Sequence, residues 1–499
     1  MEQELELKLL VADGADKVIQ QLLLPTLSTT AEVSTRVLAN YYYDSPQRAL
    51  RKHDIGFRIR THKGFTEQTL KTRGTTIGGL HQRPEYNIPL EHPQPDLTLF
   101  ANDIWPQDIN VAELQKQLCL MFTTNFTRHL YLLTLPDGSQ VELVWDKGEI
   151  ATKQQSIPLC ELELELKKGK PEHLFSLARR IAQLMPLRIG NASKAARGYM
   201  LVDGLRNKPF SMPENLNIAE NASVESAFIQ TMEFALGYWQ HHEALSDTAS
   251  SANTLRAMRK GMALVFNTLR VYQDVLHWDG LPALQATLKN CLEKWRWVED
   301  LYVFSQLNSK TALKINELAP KSSLLIDFKD KAEALIALHH PQSMLWDPTN
   351  VLLQLDIAQV LFAKPWQQKS TPYQLARQTF TKQYLLSNKV TQTTMTTGAQ
   401  PWSAQDYIYH RDDIEHQQCL DLIFAPALST NHQGETALWR DVGHKLEELR
   451  LLTLLQGEAN NTEIQNKAGV LRVCAEAISN LLSVMEDSRH KASLLMRLV

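Results

Sequence analysis

The sequence predicts an α+β protein in two parts: a closed, eight-stranded antiparallel β-barrel with flanking helices, followed by an all-α domain. Three observations carry this. Acidic residues alternate with leucine at the start, as Glu4-Leu5-Glu6-Leu7-Lys8, and again about 155 residues later, as Glu161-Leu162-Glu163-Leu164-Glu165-Leu166-Lys167. The same period-two design recurs in about eight segments before residue 170, near 3–10, 36–44, 55–62, 65–73, 81–90, 124–135, 138–149 and 157–168. Beyond 203–217 the alternation stops and helical periodicity begins, with eight of the ten tryptophans on that side.

Successive side chains of a strand point to opposite faces, so each segment sorts its charges onto one face and its apolar residues onto the other. The first strand places Glu4, Glu6 and Lys8 opposite Leu5 and Leu7. Phe57-Arg58-Ile59-Arg60 sets two guanidiniums on one side. After Lys63-Gly64, the next strand gathers Glu67, Thr69, Lys71 and Arg73. His81, Arg83, Glu85 and Asn87 stand opposite Tyr86, Ile88 and Leu90, and Pro84 within that strand predicts a bulge or an unpaired backbone position. The 124–135 segment contributes Arg128 from a weaker alternation. Following the Asp137-Gly138 turn, Glu142 and Asp146 oppose Val141, Leu143 and Trp145.

One such strand reads as a half-buried strand whose charges form surface pairs worth ~0–1 kcal/mol each. A whole set reads differently. An open sheet this long exposes its edges, whereas eight antiparallel strands can close into a barrel lined by alternate residues. A lumen of both charge signs cannot be a dry core, because unpaired buried ions are too costly. It calls for water, metal ions or a highly charged ligand. Arginine and lysine suit phosphate oxygens, and grouped carboxylates suit a hard divalent cation.

These residues resemble, in order and spacing over roughly the first 200 positions, the CYTH superfamily of triphosphate tunnel metalloenzymes. The elements are Glu4-x-Glu6-x-Lys8, Arg58-x-Arg60, Lys71, Arg83-x-Glu85, Arg128, Glu142 with Asp146, Glu161-x-Glu163-x-Glu165 and Ser193-Lys194-Ala195-Ala196-Arg197-Gly198. Within the superfamily the chain most resembles bacterial CYTH–CHAD inorganic triphosphatases, through Gly78-Gly79-Leu80-His81-Gln82-Arg83-Pro84-Glu85-Tyr86-Asn87, Cys160 through Leu166, and Ser193 through Tyr199. The resemblance implies an eight-stranded triphosphate tunnel that hydrolyses inorganic triphosphate to pyrophosphate and phosphate with Mg²⁺ or Mn²⁺.

Phosphoryl transfer is accelerated mainly by positioning and charge stabilisation. Lys8, Arg58, Arg60, Lys71, Arg73, Arg83 and Arg128 are therefore expected to bind phosphate. Lys194 and Arg197, three apart on a helix after Gly190-Asn191, are expected to close one mouth as a basic plug. Glu4, Glu6, Glu161, Glu163 and Glu165 are the expected metal ligands, since the first and last strands of a meander barrel pair on closure. One ion would neutralise the phosphate chain and a second would acidify the attacking water. The expected catalytic set is Glu4, Glu6, Lys8, Glu142 and Asp146, with Glu142 and Asp146 either orienting water or completing the metal shell. Glu67 and Glu85 either hold the basic residues or touch metal.

The 499 residues suffice for two or three domains, and a formal charge of -3 provides no global basic field for nucleic acid. The acidic N-terminus is unlike a signal peptide, and no uninterrupted apolar run of ~18 residues suggests a membrane span. The expected location is cytoplasmic. Cys119, Cys160, Cys291, Cys419 and Cys474 are scattered, which argues for reduced core residues over a disulfide framework or zinc site. His241-His242 reads as a helix surface pair.

The expected divisions are 1–202 for the barrel, 203–217 for a linker and 218–499 for the helical domain. The last resembles a CHAD domain, which implies polyphosphate as a ligand. Arg256, Arg259, Lys260, Arg440, His444, Lys445 and Arg450 fall where basic helices are sought, while Asn253 stands where a first histidine is sought, so the match is degenerate. Solvated helix faces on a packing scaffold are the competing reading. For the whole chain the alternatives to an inorganic triphosphatase are another tunnel enzyme, such as a thiamine triphosphatase or class IV adenylate cyclase, and a non-catalytic polyphosphate-binding protein. The chain opens at Met1-Glu2 without the His-Phe segment of class IV cyclases, and a pure anion receptor gains nothing from lumenal carboxylates.

Overall fold

The leucines of the alternating strands face outward and the charges face inward, so this barrel is inside out relative to an ordinary one. The computed structural model describes residues 2–12, 14, 16–23, 31–204, 208–219, 222–248, 251–306, 317, 324–368, 400–424, 430–464 and 466–497. It divides into two compact units, Met1–Lys208 with Leu345–Ala363, and Pro209–Met344 with Lys364–Val499.

The first unit is built on ten antiparallel strands: β1 (Glu2–Val11), β2 (Ala31–Asp44), β3 (Gly56–His62), β4 (Phe65–Lys71), β5 (Thr75–Ile77), β6 (Leu80–Pro89), β7 (Cys119–Thr134), β8 (Gln140–Ala151), β9 (Ser156–Lys168) and β10 (Leu187–Ile189). The order β1-β9-β8-β7-β2-β3-β4-β6 closes through β6–β1 pairing into an eight-stranded barrel, with β5 and β10 as short additions. All eight expected strands are present.

Their order is not the expected meander. The first and last barrel strands do pair, with Glu6 opposite Glu165 and Lys8 opposite Glu163. But β1 also pairs with β6, and β2 pairs with β7 over most of its length, so two connections cross over. Pro84 sits opposite Gln3 in the β1–β6 ladder, and its carbonyl accepts from Thr72 N at 3.2 Å, on the side where β4 gives way to β5. Its missing N–H therefore falls at the break between two partners, the unpaired position the sequence anticipates.

The outward leucines are covered. Leu5, Leu7 and Leu9 of β1, Leu143 and Trp145 of β8, and Leu162 and Leu164 of β9 share one core with Leu174, Phe175 and Ile181. A second cluster sits under β3 and β4, around Phe57, Leu70, Phe100 and Trp105. The helices of this unit include α1 (Ala49–Lys52), α2 (Val111–Gln117), α3 (Glu172–Leu184) and α4 (Lys194–Val202). A late helix from deep in the helical half of the sequence (Pro348–Ala363, α10 below) joins them. Its Val351, Leu355 and Ala358 enter the β1–β8–β9 core, Arg179 of α3 holds Asp356 at 2.7 Å, and the Phe362 ring lies 6.3 Å from that of Phe175.

The second unit has no strand among its described residues, and its longer helices are α5 (Val224–Thr248), α6 (Ala252–Tyr272), α7 (Leu281–Lys294), α8 (Trp297–Ser305), α9 (Leu324–His339), then, after α10 (Pro348–Ala363) of the first unit, α11 (Arg411–Phe424), α12 (Thr430–Asn461) and α13 (Lys467–Arg497). α12 and α13 form an antiparallel pair: Leu451 and Leu455 meet Val470 and Cys474 near the turn, and Trp439 and Val442 meet Met485 and Ala492 farther out. By length and composition Lys467–Leu494 could cross a bilayer, a stretch the sequence reading passes over; five of its residues are buried here in the cores shared with α12.

Two smaller expectations need correction. His242 is not a surface residue: it is fully buried, with Nδ1 2.9 Å from the Tyr238 carbonyl and its ring against Tyr238. Cys291, Cys419 and Cys474 are buried as expected, but Cys119 begins β7 in an exposed position and Cys160 is half-buried.

Candidate active site

The lumen encloses a cavity of about 350 Å³, and its two ends differ. Along β9 the inward side chains open steadily to solvent, from 0% exposed at Glu161 through 8% at Glu163 and 19% at Glu165 to 31% at Lys167. The Glu161 end is closed by α4.

Pairing register brings the acids of the closed end together. Asp146 of β8 lies directly opposite Glu161 of β9, and Glu163 follows two residues on along the same face. Oxygens from these three carboxylates lie within 4.8 Å of one another. Such a concentration of buried negative charge survives only with compensating cations. Arg128 grips Asp146 bidentately at 2.8 and 2.7 Å and reaches Glu163 at 3.0 Å. Lys194 contacts Asp146 at 2.8 Å, Glu163 at 3.0 Å and also Glu161. Lys8 contacts Glu161 at 3.3 Å and also Glu163. Arg197 completes the plug at 3.3 Å from Glu161, and donates to the Pro158 carbonyl at 2.7 Å. Burial pushes the Glu163 carboxyl up, but Lys194, Lys8 and Arg128 together hold it well below the usual carboxylate range. Asp146 is likewise held down by Arg128 and Lys194 against its burial.

A second group forms where β1, β4 and β6 meet. Lys71 holds Glu4 at 2.7 Å and Glu85 at 3.1 Å, while Arg58 lies 3.7 Å from Glu85. The two acids diverge. Burial, reinforced by Glu6 and Glu85, raises Glu4 to about 7 in spite of Lys71; Lys71 and Arg58 overcome the burial of Glu85 and take it to about 2. Arg83 stands opposite Glu4 and lines the cavity with a buried Nε that has no partner among the described residues. Arg60 donates to Asn40 at 2.7 Å, and burial beside Arg58 and Arg128 lowers its guanidinium to about 9. The β2–β3–β7 wall is thus basic, and the β1–β8–β9 wall is acidic.

The structure divides the five expected metal ligands instead of gathering them. Glu161 and Glu163 join Asp146, Glu4 joins Lys71 and Glu85, Glu6 lies 3.9 Å from Lys8, and Glu165 pairs with Lys167 at 2.6 Å. Glu142 lines the cavity beside Glu165 and makes no ion pair among the described residues. Arg73 is outside the group: β4 ends at Lys71, and Arg73 is exposed and does not line the cavity.

Several contributors escape the sequence reading. Arg36, Asn40 and Tyr42 share the inward face of β2, a signal present in the alternation of that strand. Asp44 carries no such signal. Fully buried, it accepts from the backbone N–H of Leu50 at 2.9 Å and of Arg51 at 3.0 Å, and from the Tyr199 hydroxyl at 2.8 Å. It thereby ties α1 to the helix that carries Lys194. Gly198 lets α4 seat against β7, since a Cβ there would lie 2.1 Å from the Phe122 ring.

In the helical unit a cavity of about 570 Å³ is lined by Arg256, Lys260, Arg411, Arg440 and His444 together with Glu299, Glu415 and Glu447. Its arginines are paired internally. Glu299 lies 3.1 Å from Arg256 and 3.0 Å from Arg259, Arg450 holds Asp300 at 2.9 Å, and Arg440 holds Glu214 at 3.1 Å. Lys445 pairs with Asp441.

Residues 2–199 match the CYTH domain family. The inorganic triphosphatase of Haemophilus influenzae is 34% identical over 202 residues, covering 40% of this chain; the chain spans about half (55%) of that relative's length. Among solved structures, a Hippeastrum protein described as an adenylyl cyclase with a dominant triphosphatase activity aligns at 20% identity and a TM-score of 0.30, over 41% of this chain and 97% of its own. The CHAD domain of Ricinus communis aligns at 16% identity and a TM-score of 0.42, over 57% of this chain and 96% of its own.

Proposed function

We propose that the CYTH domain hydrolyses inorganic triphosphate to pyrophosphate and phosphate with a divalent cation, Mg²⁺ or Mn²⁺. The observation that carries this reading is the division of one closed lumen into a basic wall and an acidic wall. The likeness to a triphosphatase supports it.

The basic wall matches a compact linear polyanion. Arg58, Arg60 and Arg128 project from β3 and β7 toward one cavity, Lys71 and Arg83 stand on β4 and β6 between the two walls, and Lys8 reaches in from the acidic wall. Fixed guanidiniums in a site shielded from water hold phosphate oxygens in place and stabilise charge on the transferring group without reorganising. The trio Asp146, Glu161 and Glu163 fits a hard cation, offering only carboxylate oxygens at close range. Those three residues would hold the ion, which when bound supplies charge neutralisation to the phosphate chain. Lys8 and Lys194 balance the trio's charge in its absence.

In hydrolysis a water attacks a terminal phosphorus, the bridging P–O bond breaks, and pyrophosphate leaves. Held inside the trio by Arg128 and Lys194, Asp146 is committed to the cation and not to the water. Glu142, which lines the cavity and makes no ion pair among the described residues, is our assignment for orienting the water.

The test is phosphate release from inorganic triphosphate, ATP and thiamine triphosphate, each with Mg²⁺, Mn²⁺ or chelator. Metal-dependent cleavage of triphosphate ahead of the organic substrates is the expected result. Preference for thiamine triphosphate or ATP would reassign the substrate, and tight triphosphate binding without turnover would make this a receptor.

A further inference from the structure

The open end of the tunnel carries a cation that the triphosphatase reading does not use. Arg36 of β2 lines the cavity, is exposed, and makes no ion pair among the described residues. Its strand position makes it unusual. Arg36 is directly opposite Arg128 in the β2–β7 ladder, so two guanidiniums spring from neighbouring points on one face. Like charges directly opposite on antiparallel strands are destabilising unless something negative lies between or beside them. Arg128 has its carboxylates, Asp146 and Glu163, on the closed side; Arg36 has none.

Position along the strand matters equally. Tyr42, on the same face of β2, feels the charge of Lys194 at the plug, whereas Arg36 lies six residues from Tyr42, roughly 20 Å along an extended strand, where its side chain is exposed. The basic wall therefore continues from the buried Arg58 and the half-buried Arg60 out to solvent instead of stopping where a triphosphate would be enclosed. A further phosphate at this mouth would gain a charge-assisted hydrogen bond from the guanidinium.

We propose that Arg36 forms an additional anion subsite at the open mouth, which takes the trailing phosphate of a linear polyphosphate longer than triphosphate. This rests on the tunnel being a triphosphate hydrolase that binds its substrate from the basic wall. Arg36 would act on chain-length preference, leaving the chemical step to the closed end.

The experiment compares tripolyphosphate and tetrapolyphosphate on the full chain and on Arg36→Ala and Arg36→Lys. A charge-assisted hydrogen bond at a partly solvated site corresponds to about a tenfold change. The expected result is that Arg36→Ala lowers kcat/KM for tetrapolyphosphate about tenfold and for tripolyphosphate less than about twofold. Arg36→Lys should recover part of the loss, and the margin should shrink as salt is raised. Equal losses on both substrates, or none on either, would overturn the subsite while leaving the triphosphatase reading intact. If the unaltered protein cleaves neither substrate, calorimetric titration with the same two polyphosphates decides. Loss of a tetrapolyphosphate affinity margin in Arg36→Ala supports the subsite, and an unchanged margin sinks it.

Discussion

Both units bury arginines beside glutamates, yet they use them differently. In the helical unit Glu299 is a sink: Arg256 and Arg259 converge on its carboxylate, Arg411 and Arg450 add to its field, and together they take it to about 2. In the barrel the charges line a closed lumen, and Glu142 and Arg36 on it make no ion pair among the described residues. Helical side chains can turn toward a chosen partner, whereas strand side chains go where the pleat sends them, and a closed barrel sends every second one inward. Charge buried on helices can be a structural tie; charge that a closed barrel turns inward need not find a partner.

That contrast can be broken at the barrel first. Glu142→Gln removes the lumenal carboxylate assigned to the attacking water, and it makes no ion pair among the described residues, so the fold should persist while triphosphate turnover falls by about a hundredfold or more. Phosphate release measured against thermal stability checks this, and retained activity would take the water away from Glu142. Glu299→Gln should do the reverse. Leaving buried arginines short of a partner costs about 3–5 kcal/mol, so the denaturation midpoint should drop while kcat of the folded protein stays unchanged. A variant as stable as the parent would mean that this cluster is not a tie.

Chain division offers a third test. Truncation after Lys208 strips the barrel unit of Val351, Leu355 and Ala358 and opens the core that they share with β1, β8 and β9. Burying each larger apolar side chain is worth about 1.5–3 kcal/mol, so the truncated barrel should unfold earlier or aggregate. A synthetic 345–363 peptide should raise its melting temperature; a truncated barrel indifferent to the peptide would show that the helix is dispensable.

The smallest expected effect is one of pH. Burial, aided by Arg270, lowers His416 to about 4, and its Nδ1 lies 2.9 Å from Asn267 Oδ1. The unfolded histidine takes up a proton near pH 6.5 while the folded one remains neutral, so stability is full above that pH and declines as pH falls toward 4. The ceiling is about 3 kcal/mol, with less expected at pH 5. His416→Asn should flatten the decline, as read by denaturant unfolding at pH 7 and pH 5. An identical decline in the variant would assign it to other groups.

Much of the barrel is legible in the sequence because alternation states directly which residues share a face. Glu4 with Glu6 and Lys8, Arg58 with Arg60, and Glu161 with Glu163 and Glu165 need no tertiary information to be grouped. Alternation also places Asp146 beside Glu142 but does not say that its partner across the ladder is Glu161. Arg73 shows the limit from the other side: it keeps the period of β4, but the strand ends at Lys71 and the periodicity carries no meaning past that point.

Readable from the chain alone were the eight barrel strands, the face that most of their charges occupy, the passage to helical periodicity, and the family that the first 200 residues match. Each is written in short-range period, composition or motif. Tertiary structure alone decided that β1 lies between β6 and β9, that Asp146 completes the acidic trio, that Asp44 anchors Tyr199 of the plug helix, and that Pro348–Ala363 packs on the barrel unit. The physical reason is common to all four. Strand order, cross-strand register and helix docking are set by pairings between residues far apart in the chain, and a side chain's periodicity fixes the direction it faces without naming what it will meet there.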